Sequence, residues 1–546
     1  MLKIKMQNMK TKISTLFVGL GVVASSLMTT GCIEETFPTN LATQDQLEAN
    51  EGVTASLMWA MPAFMNNVGT LSSDYHYDWG YGSVMHVRDV MTGDLPVVAS
   101  GYNWYTNWEV NQYMGESYVY SQFLWNFYWK AVQTANNMVR AINEETAKET
   151  NNTEQLGLLG AGLAYRAMYY LDMARMWEFL PNDKTSSINA AGNDVLNLTV
   201  PIVDENMTEE EARNNPRVPR DTMAVFILND LNRAEEYIPG LTETSNVLPH
   251  LAAVYGLKAR YYMWLEDYAN AKLYARKAIT ASKMTPMTED QCLSTTKGFN
   301  DISRWIWGVQ LVDEDACVKT GILNWASWMS NETDFGYASA GPYVMIDASM
   351  YKRISDTDFR KKMWKAPAKS ALDGQTPFLN ESFAENIAEY GSVKFRPAEG
   401  NYEQSSVGTV TAYPLMRVEE MYFIEAEAAA HLGEGATLIN TFMRDYRDPN
   451  YATDKTGKDL VEEIVFQKRV ELWGEGHVFF DYKRLDMSVV RAYNGTNYQE
   501  DARFITNGRP AWINICIVQS EKNNNKGLVG FENPDPSELY DVIEVE

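Results

Sequence analysis

The residues best suited to chemistry in this 546-residue chain are aromatic, and they gather in two irregular runs. The first is residues 74–81 (DYHYDWGY) continuing to 102–108 (YNWYTNW). The second holds Trp325, Trp328, Phe335 and Tyr337, beside Asn324, Asn331 and Asp334. Neither run has helical or alternating regularity. A ring that lies off any packing stripe can present a flat apolar face to a ligand, while amides and carboxylates satisfy its polar groups. Such groups belong on loops held by a rigid scaffold. The candidate ligand-binding residues are therefore Tyr77, Trp79, Trp104, Asn107, Trp108, Trp325, Trp328 and Tyr337. Trp104, Trp108 and Trp328 lead them, with Asn107 as the polar partner. Replacing Trp108 or Trp328 with Ala is then expected to weaken binding without unfolding the chain. About half of the loop aromatics are expected to serve packing instead. Trp125, Trp129, Trp264 and Tyr262 sit on apolar stripes and are assigned to the core.

Covalent chemistry finds little support. The chain has no HExxH, GxSxG, GxGxxG or Walker loop. Its five histidines, His76, His86, His250, His431 and His477, show no metal spacing. Glu475 and His477 are two apart, and His477 is read as structural. With 72 acidic residues, some pair of carboxylates always satisfies the needs of a glycosidase, so the sequence singles none out. No catalytic residue, cofactor or metal is expected. Cys292, Cys317 and Cys516 form neither a zinc spacing nor a disulfide framework. Buried thiols are expected there, with a Cys292–Cys317 bridge left open.

The first residues say where the chain works. Lys3, Lys5, Lys10 and Lys12 precede an apolar core from Leu16 to Met28 (LFVGLGVVASSLM), too short to span a bilayer but fit for an export signal. Thr29, Thr30 and Gly31 are small, and Cys32 follows, a pattern that resembles a lipobox although Thr29 stands where Leu is usual. Residues 1–31 are read as the signal, Cys32 as the lipidated residue and 32–45 as a polar tether. Two or three acyl chains on one residue anchor a protein stably. No later stretch is long and apolar enough to cross a membrane, so the anchor is the expected membrane contact. The net charge of −25 disfavours nucleic acid and anionic lipid.

Helical periodicity then dominates. Residues 121–143 place Leu124, Phe127, Tyr128, Ala131, Val132, Ala135, Met138, Val139 and Ile142 at steps of three and four. Residues 156–180 repeat the pattern up to Pro181, and 220–238 form a third helix with Asp221 as candidate cap. Residues 252–280 read as two helices joined at Glu266–Asp267. Tyr255, Ala259, Tyr262, Ala271 and Ala278 fall on the packing positions of a tetratricopeptide repeat, whereas Ala275 stands where an aromatic is usual. From 285 to 410 short aromatic runs with Gly, Pro and Asn suggest a loop-rich lobe with few strands, in which Trp305–Trp307 keeps one buried face. Helices return at 415–432 and 460–473, and Trp512–Val518 is strand-like. The expected division is a helical scaffold at 46–284, a ligand-binding lobe at 285–410, and a helical region with an irregular tail at 411–546.

Four of these segments resemble blocks of the SusD/RagB family, in the family's order. They are 121–143, 163–181, the helix 415–432 (LMRVEEMYFIEAEAAAHL) and 462–484 (EEIVFQKRVELWGEGHVFFDYKR). Gln467–Lys468–Arg469 replaces the usual Glu-Arg-Arg, and His477–Val478 a commoner residue–Arg pair. Glu34–Glu35 resembles the acidic patch of surface-exported lipoproteins. The resemblance implies a mainly α fold with tetratricopeptide-like hairpins. It also implies an outer-membrane, cell-surface lipoprotein that binds oligosaccharide, without catalysis, and serves a SusC-like TonB-dependent transporter. Two alternatives stay open: a peptide-binding, RagB-like cargo, and an α-helical glycoside hydrolase.

Overall fold

A computed structural model describes residues 51–545 apart from Ser73; the expected signal, Cys32 and the tether lie outside the described residues. The fold is mainly α. Eleven helices carry the argument: α1 (Glu51–Phe64), α2 (Tyr81–Val90), α3 (Val119–Arg140), α4 (Thr153–Trp177), α5 (Arg220–Tyr237), α6 (Leu251–Trp264), α7 (Tyr268–Ser282), α8 (Val418–His431), α9 (Thr437–Tyr446), α10 (Gly457–Glu471) and α11 (Val478–Arg484). Among the described residues the one sheet pairs β1 (Trp307–Gln310) antiparallel with β2 (Ala412–Met416).

Successive helices pack side by side from α3 to α8, each burying its apolar stripe against the next. Capping fixes several starts: Asn152 accepts from Gln155 N at 3.1 Å before α4, and Asp267 from Asn270 N at 3.1 Å before α7. Helix α4 approaches the turn after α5 so closely that side chains are excluded. A Cβ at Gly160 would lie 2.8 Å from Ile238 N, and one at Gly157 would strike the backbone of Gly240 and Leu241. The α6–α7 hairpin turns at Glu266, whose φ is 59°. Ala259, Ala271, Ala275 and Ala278 are fully buried between its helices. Ala275 needs no aromatic, because Tyr262 and Tyr274 stack at 5.4 Å on the same hairpin.

Several local expectations are corrected. Asp221 is not the cap of α5; that position is Pro219, and Asp221 lies in the first turn. Leu415 and Met416 belong to β2, so the helix begins only at Val418. Trp512–Val518 forms no strand: Ala511–Ile513 is a 3-10 turn and the rest is irregular, although all of it is buried. Trp305, Ile306 and Trp307 are all buried, since Trp305 packs on Phe299 and Trp307 on Tyr165. Cys292, Cys317 and Cys516 are buried free thiols.

Residues 285–410 contain short helices, 3-10 turns and β1. They are not a separate body, for Asn50–Glu546 forms one compact unit. A buried charge network joins them to the helices. Glu471, at the end of α10, meets Arg360 at 3.2 Å, Arg417 at 3.2 Å and Arg447 at 2.7 Å. Arg417 also reaches Glu419 at 3.0 Å and Glu475 at 2.9 Å; Lys394 meets Glu475 at 2.7 Å, and Arg360 meets Asp358 at 2.6 Å. Burial opposes the charge on Glu471, yet Arg447, Arg417 and Arg360 together hold its carboxyl well below the ordinary range. Removing one member of such a network strands its partners without countercharge. Glu471→Ala is expected to cost about 3–5 kcal/mol of stability in chemical denaturation; a loss under about 1 kcal/mol would show that the network is not what holds the lobe.

Candidate functional site

The site grows from the loops on either side of α2. Asp78, buried, accepts from Leu71 N at 2.5 Å and Ser72 N at 3.2 Å, which ties these two residues back to it. After α2, the chain is pinned at Asp94, whose carboxylate accepts from Arg469 Nε at 3.0 Å and from the Tyr482 hydroxyl at 2.8 Å. Met345 N donates to Pro96 O at 3.0 Å, and Val98 N to Tyr343 O at 3.1 Å. The loop bearing Trp104 is thereby strapped to the lobe that bears Trp328 and Tyr337. The two aromatic runs, more than two hundred residues apart, meet.

Tyr105 is the hub of their contact. It is fully buried, and its hydroxyl accepts from Trp79 Nε1 at 2.8 Å and pairs with Ser83 Oγ at 2.9 Å. Its ring meets Trp108 at 5.7 Å, His86 edge-on at 4.4 Å and Trp328 edge-on at 4.9 Å. Trp108 in turn stands edge-on to Tyr77 at 4.9 Å and Tyr120 at 4.9 Å. Trp328 is covered by Tyr337, stacked at 3.8 Å and 14°. Trp79 meets Trp325 at 6.3 Å, and Trp325 stacks on Tyr413 at 5.0 Å.

These contacts change the part that most candidates play. Tyr77, Trp79, Trp108, Trp325 and Trp328 are at most 2% exposed, and Tyr337 is 5% exposed. Their faces are occupied by one another, so they form the floor of the region and not its surface. The expectation that Trp108 and Trp328 can be removed without structural cost is corrected for that reason. The run 323–328 is likewise no loop: Trp325–Met329 is a short helix capped by Asn324, which accepts from Ser327 N at 3.0 Å. Nearby, Asn331 is spent on backbone, donating to Val344 O at 2.8 Å and Ser392 O at 3.0 Å.

Trp104 and Asn107 remain half-buried. Around them stand residues that sequence reasoning passed over: Tyr75, His76 and Tyr120, half-buried, and Tyr102, 60% exposed. His76 lies on the Trp104 ring at 4.6 Å and 25°, and its Nδ1 pairs with the Tyr337 hydroxyl. Burial lowers the His76 pKa against the pull of Asp74, which favours a neutral ring able to accept or donate one hydrogen bond. The Asn107 amide donates to the Tyr120 hydroxyl. Tyr113 and Tyr118, both exposed, pair at 5.1 Å alongside. Their signal in the sequence was the density of Tyr between 75 and 120. The Trp-weighted ranking overlooked it.

Below Asn107 the short helix Thr106–Glu109 ends on a buried carboxylate. Glu109 accepts from Val97 N at 3.0 Å and Gln499 Nε2 at 2.5 Å. Among the described residues no group of three or more His, Cys, Asp or Glu is placed to hold a metal, and no helix is long and apolar enough to cross a membrane.

Comparison with known proteins decides the kinship. A model of the SusD family matches residues 369–534, and one described as starch-binding, associating with the outer membrane, matches residues 8–263. The chain belongs to the SusD/RagB family. Similar solved structures include a SusD-like carbohydrate-binding protein from Bacteroides vulgatus, 20% identical, with a TM-score of 0.67 over 87% of this chain and 96% of that one. A SusD superfamily protein from Bacteroides thetaiotaomicron is 17% identical, with a TM-score of 0.64 over 87% and 98%. One from Bacteroides fragilis is 18% identical, with a TM-score of 0.61 over 87% and 98%. No curated protein matches the chain. At these identities the structures share the SusD-like fold.

Two predictions test the division into floor and rim. Trp108→Ala should cost about 3–5 kcal/mol in denaturant unfolding, and Trp104→Ala less than half as much; equal losses would remove the distinction. The second concerns Glu109, whose carboxyl burial pushes up to about 7, against the Val97 N–H and Arg491. The folded chain therefore keeps this proton at pH values where the unfolded chain has released it. Its contribution to stability falls as pH rises from about 4.5 to about 7, by at most roughly 3 kcal/mol. Glu109→Gln should flatten that part of the stability profile between pH 5 and 8, and an unchanged slope would show that another group produces it.

Proposed function

We propose that this SusD-family protein is a cell-surface lipoprotein that captures an extracellular oligosaccharide and delivers it to a SusC-like TonB-dependent transporter, performing no chemistry. The observation that carries the reading is the Trp104 rim. A half-exposed indole, backed by His76 and flanked by Tyr75, Tyr102, Tyr120 and Asn107, lies on a floor of interlocked rings. Sugar C–H faces stack on such rings while tyrosine hydroxyls and the amide satisfy sugar hydroxyls. The floor residues Tyr77, Trp79, Trp108, Trp325, Trp328 and Tyr337 then act by positioning the rim. The names of relatives support the ligand class: one similar structure is a carbohydrate-binding protein, and the matching family model is described as starch-binding at the outer membrane.

In this reading residues 1–31 direct export, lipidated Cys32 and the tether to residue 45 hold the protein at the outer membrane facing outward, and the lobe at 285–410 supplies half of the floor. A glycan array followed by calorimetry tests it. At least one oligosaccharide should bind, Trp104→Ala should weaken it about tenfold or more while the variant stays folded, and no new reducing ends should form. Binding confined to peptide pools, or unchanged affinity in Trp104→Ala, would refute the glycan site. Co-purification in mild detergent should bring down a large β-barrel, and elution of the lipoprotein alone would sink the transporter step.

A further inference from the structure

Far along the chain from the Trp104 rim, the ends of α4, α6, α10 and α11 enclose a cavity of about 140 Å³. That exceeds the roughly 30 Å³ share of a single water. Its walls invert the character of the molecule. The whole chain carries −25, yet seven Arg or Lys side chains line this space against four carboxylates.

Most of these cations have partners. Arg260 faces Glu420 at 2.7 Å, Lys468 faces Asp481 at 2.8 Å, and Arg220 faces Glu178 at 2.5 Å. Behind the wall, Asp172 answers Arg175 at 2.7 Å, and Glu427 answers Arg484. Lys483 is different. Its ammonium, fully buried, donates only to Met176 O at 2.9 Å and Ile513 O at 3.0 Å, with no carboxylate in ion-pair range among the described residues. Burial pulls its pKa well down, as expected of a cation without a countercharge.

Free donors accompany this missing countercharge. Arg484, with only 8% of its side chain exposed, leaves Nη1 without an acceptor. Arg509, half-buried at the rim, spends Nε on Lys483 O at 2.7 Å and Nη1 on Pro181 O at 2.8 Å, and its closest carboxylate is the exposed Asp486 at 3.5 Å. A buried donor without a partner costs free energy, and charge-assisted hydrogen bonds to an anion would recover it.

We propose that this cavity binds a small oxyanion of the phosphate, sulfate or carboxylate class, held by Lys483, Arg484 and Arg509. The anion joins α4, α11 and the C-terminal tail, and it works independently of the Trp104 rim.

Calorimetric titration of the whole protein in mild detergent, with sodium phosphate, sodium sulfate and sodium acetate at constant ionic strength, tests this. At least one salt should bind saturably, and the three arms identify the class. Affinity should fall about tenfold or more in Arg509→Gln, at the rim where the fold tolerates change, and binding should vanish in Lys483→Met. No saturable heat with any of the three salts, the result for a cavity that holds only water, would overturn the proposal. So would undiminished affinity in Arg509→Gln, which would place any bound anion elsewhere.

Discussion

Four cations and four carboxylates, withdrawn from water around the end of α10, are the constraint on which the rest of this structure depends. Arg360, Lys394, Arg417 and Arg447 balance Asp358, Glu419, Glu471 and Glu475. Burying each ion alone would cost several kcal/mol, so the arrangement is tolerable only when every partner is present. The partners come from the irregular segment (Asp358, Arg360, Lys394) and from the helical region (Arg417, Glu419, Arg447, Glu471, Glu475). Neither part can be ordered alone without stranding charge in the other. That requirement explains why a lobe with few strands and short helices packs as one unit with a helical scaffold.

The same helix transmits this order to the site. Arg469, two residues before Glu471, reaches Asp94, and Trp473 donates Nε1 to Asp94 O at 2.9 Å. Gly476 N donates to the buried Asp89 at 2.8 Å, tying the end of α2 to the same segment. From Asp94 the chain runs directly into the loop of Trp104. Rings that are already packed, with hydroxyls already bonded, lose little freedom when a ligand arrives, and binding keeps more of the stacking energy. On the proposed reading, the floor of buried tryptophans would thus serve binding by holding the rim, although it offers no surface.

The scaffold was legible because its helices are half-buried, and a stripe at steps of three and four records which side faces in. The helices α3, α4 and the α6–α7 hairpin with its turn at Glu266–Asp267 followed from that record to within three residues, whereas the cap expected at Asp221 did not. The site was legible only as composition. Both aromatic runs lie in segments without a period, so nothing in them says which ring faces water. Trp104 and Trp108 are alike in the sequence, and only the position of Tyr105, wedged between Trp79 and Ser83, separates them. The charge network was hidden for a related reason. Glu471 stands in a recognisable block, but its partners lie between 24 and 111 residues away, and no spacing rule spans that distance.

Burying cations also redistributes charge over the molecule. Arg88, Arg166, Arg360, Arg396, Arg417, Arg447 and Arg491 all lie in the interior, most of them answered by carboxylates that are themselves buried. The chain as a whole still carries −25, and a net negative charge of that size repels anions at long range. Neutral ligands meet no such barrier, which suits the proposed glycan rim of ring faces and hydroxyls. The proposed anion would gain only after entering the cavity among α4, α6 and α11, where Lys483 has no carboxylate in ion-pair range among the described residues. On the two proposals, the chain's net negative charge and the cation-rich cavity would select ligands by opposite rules.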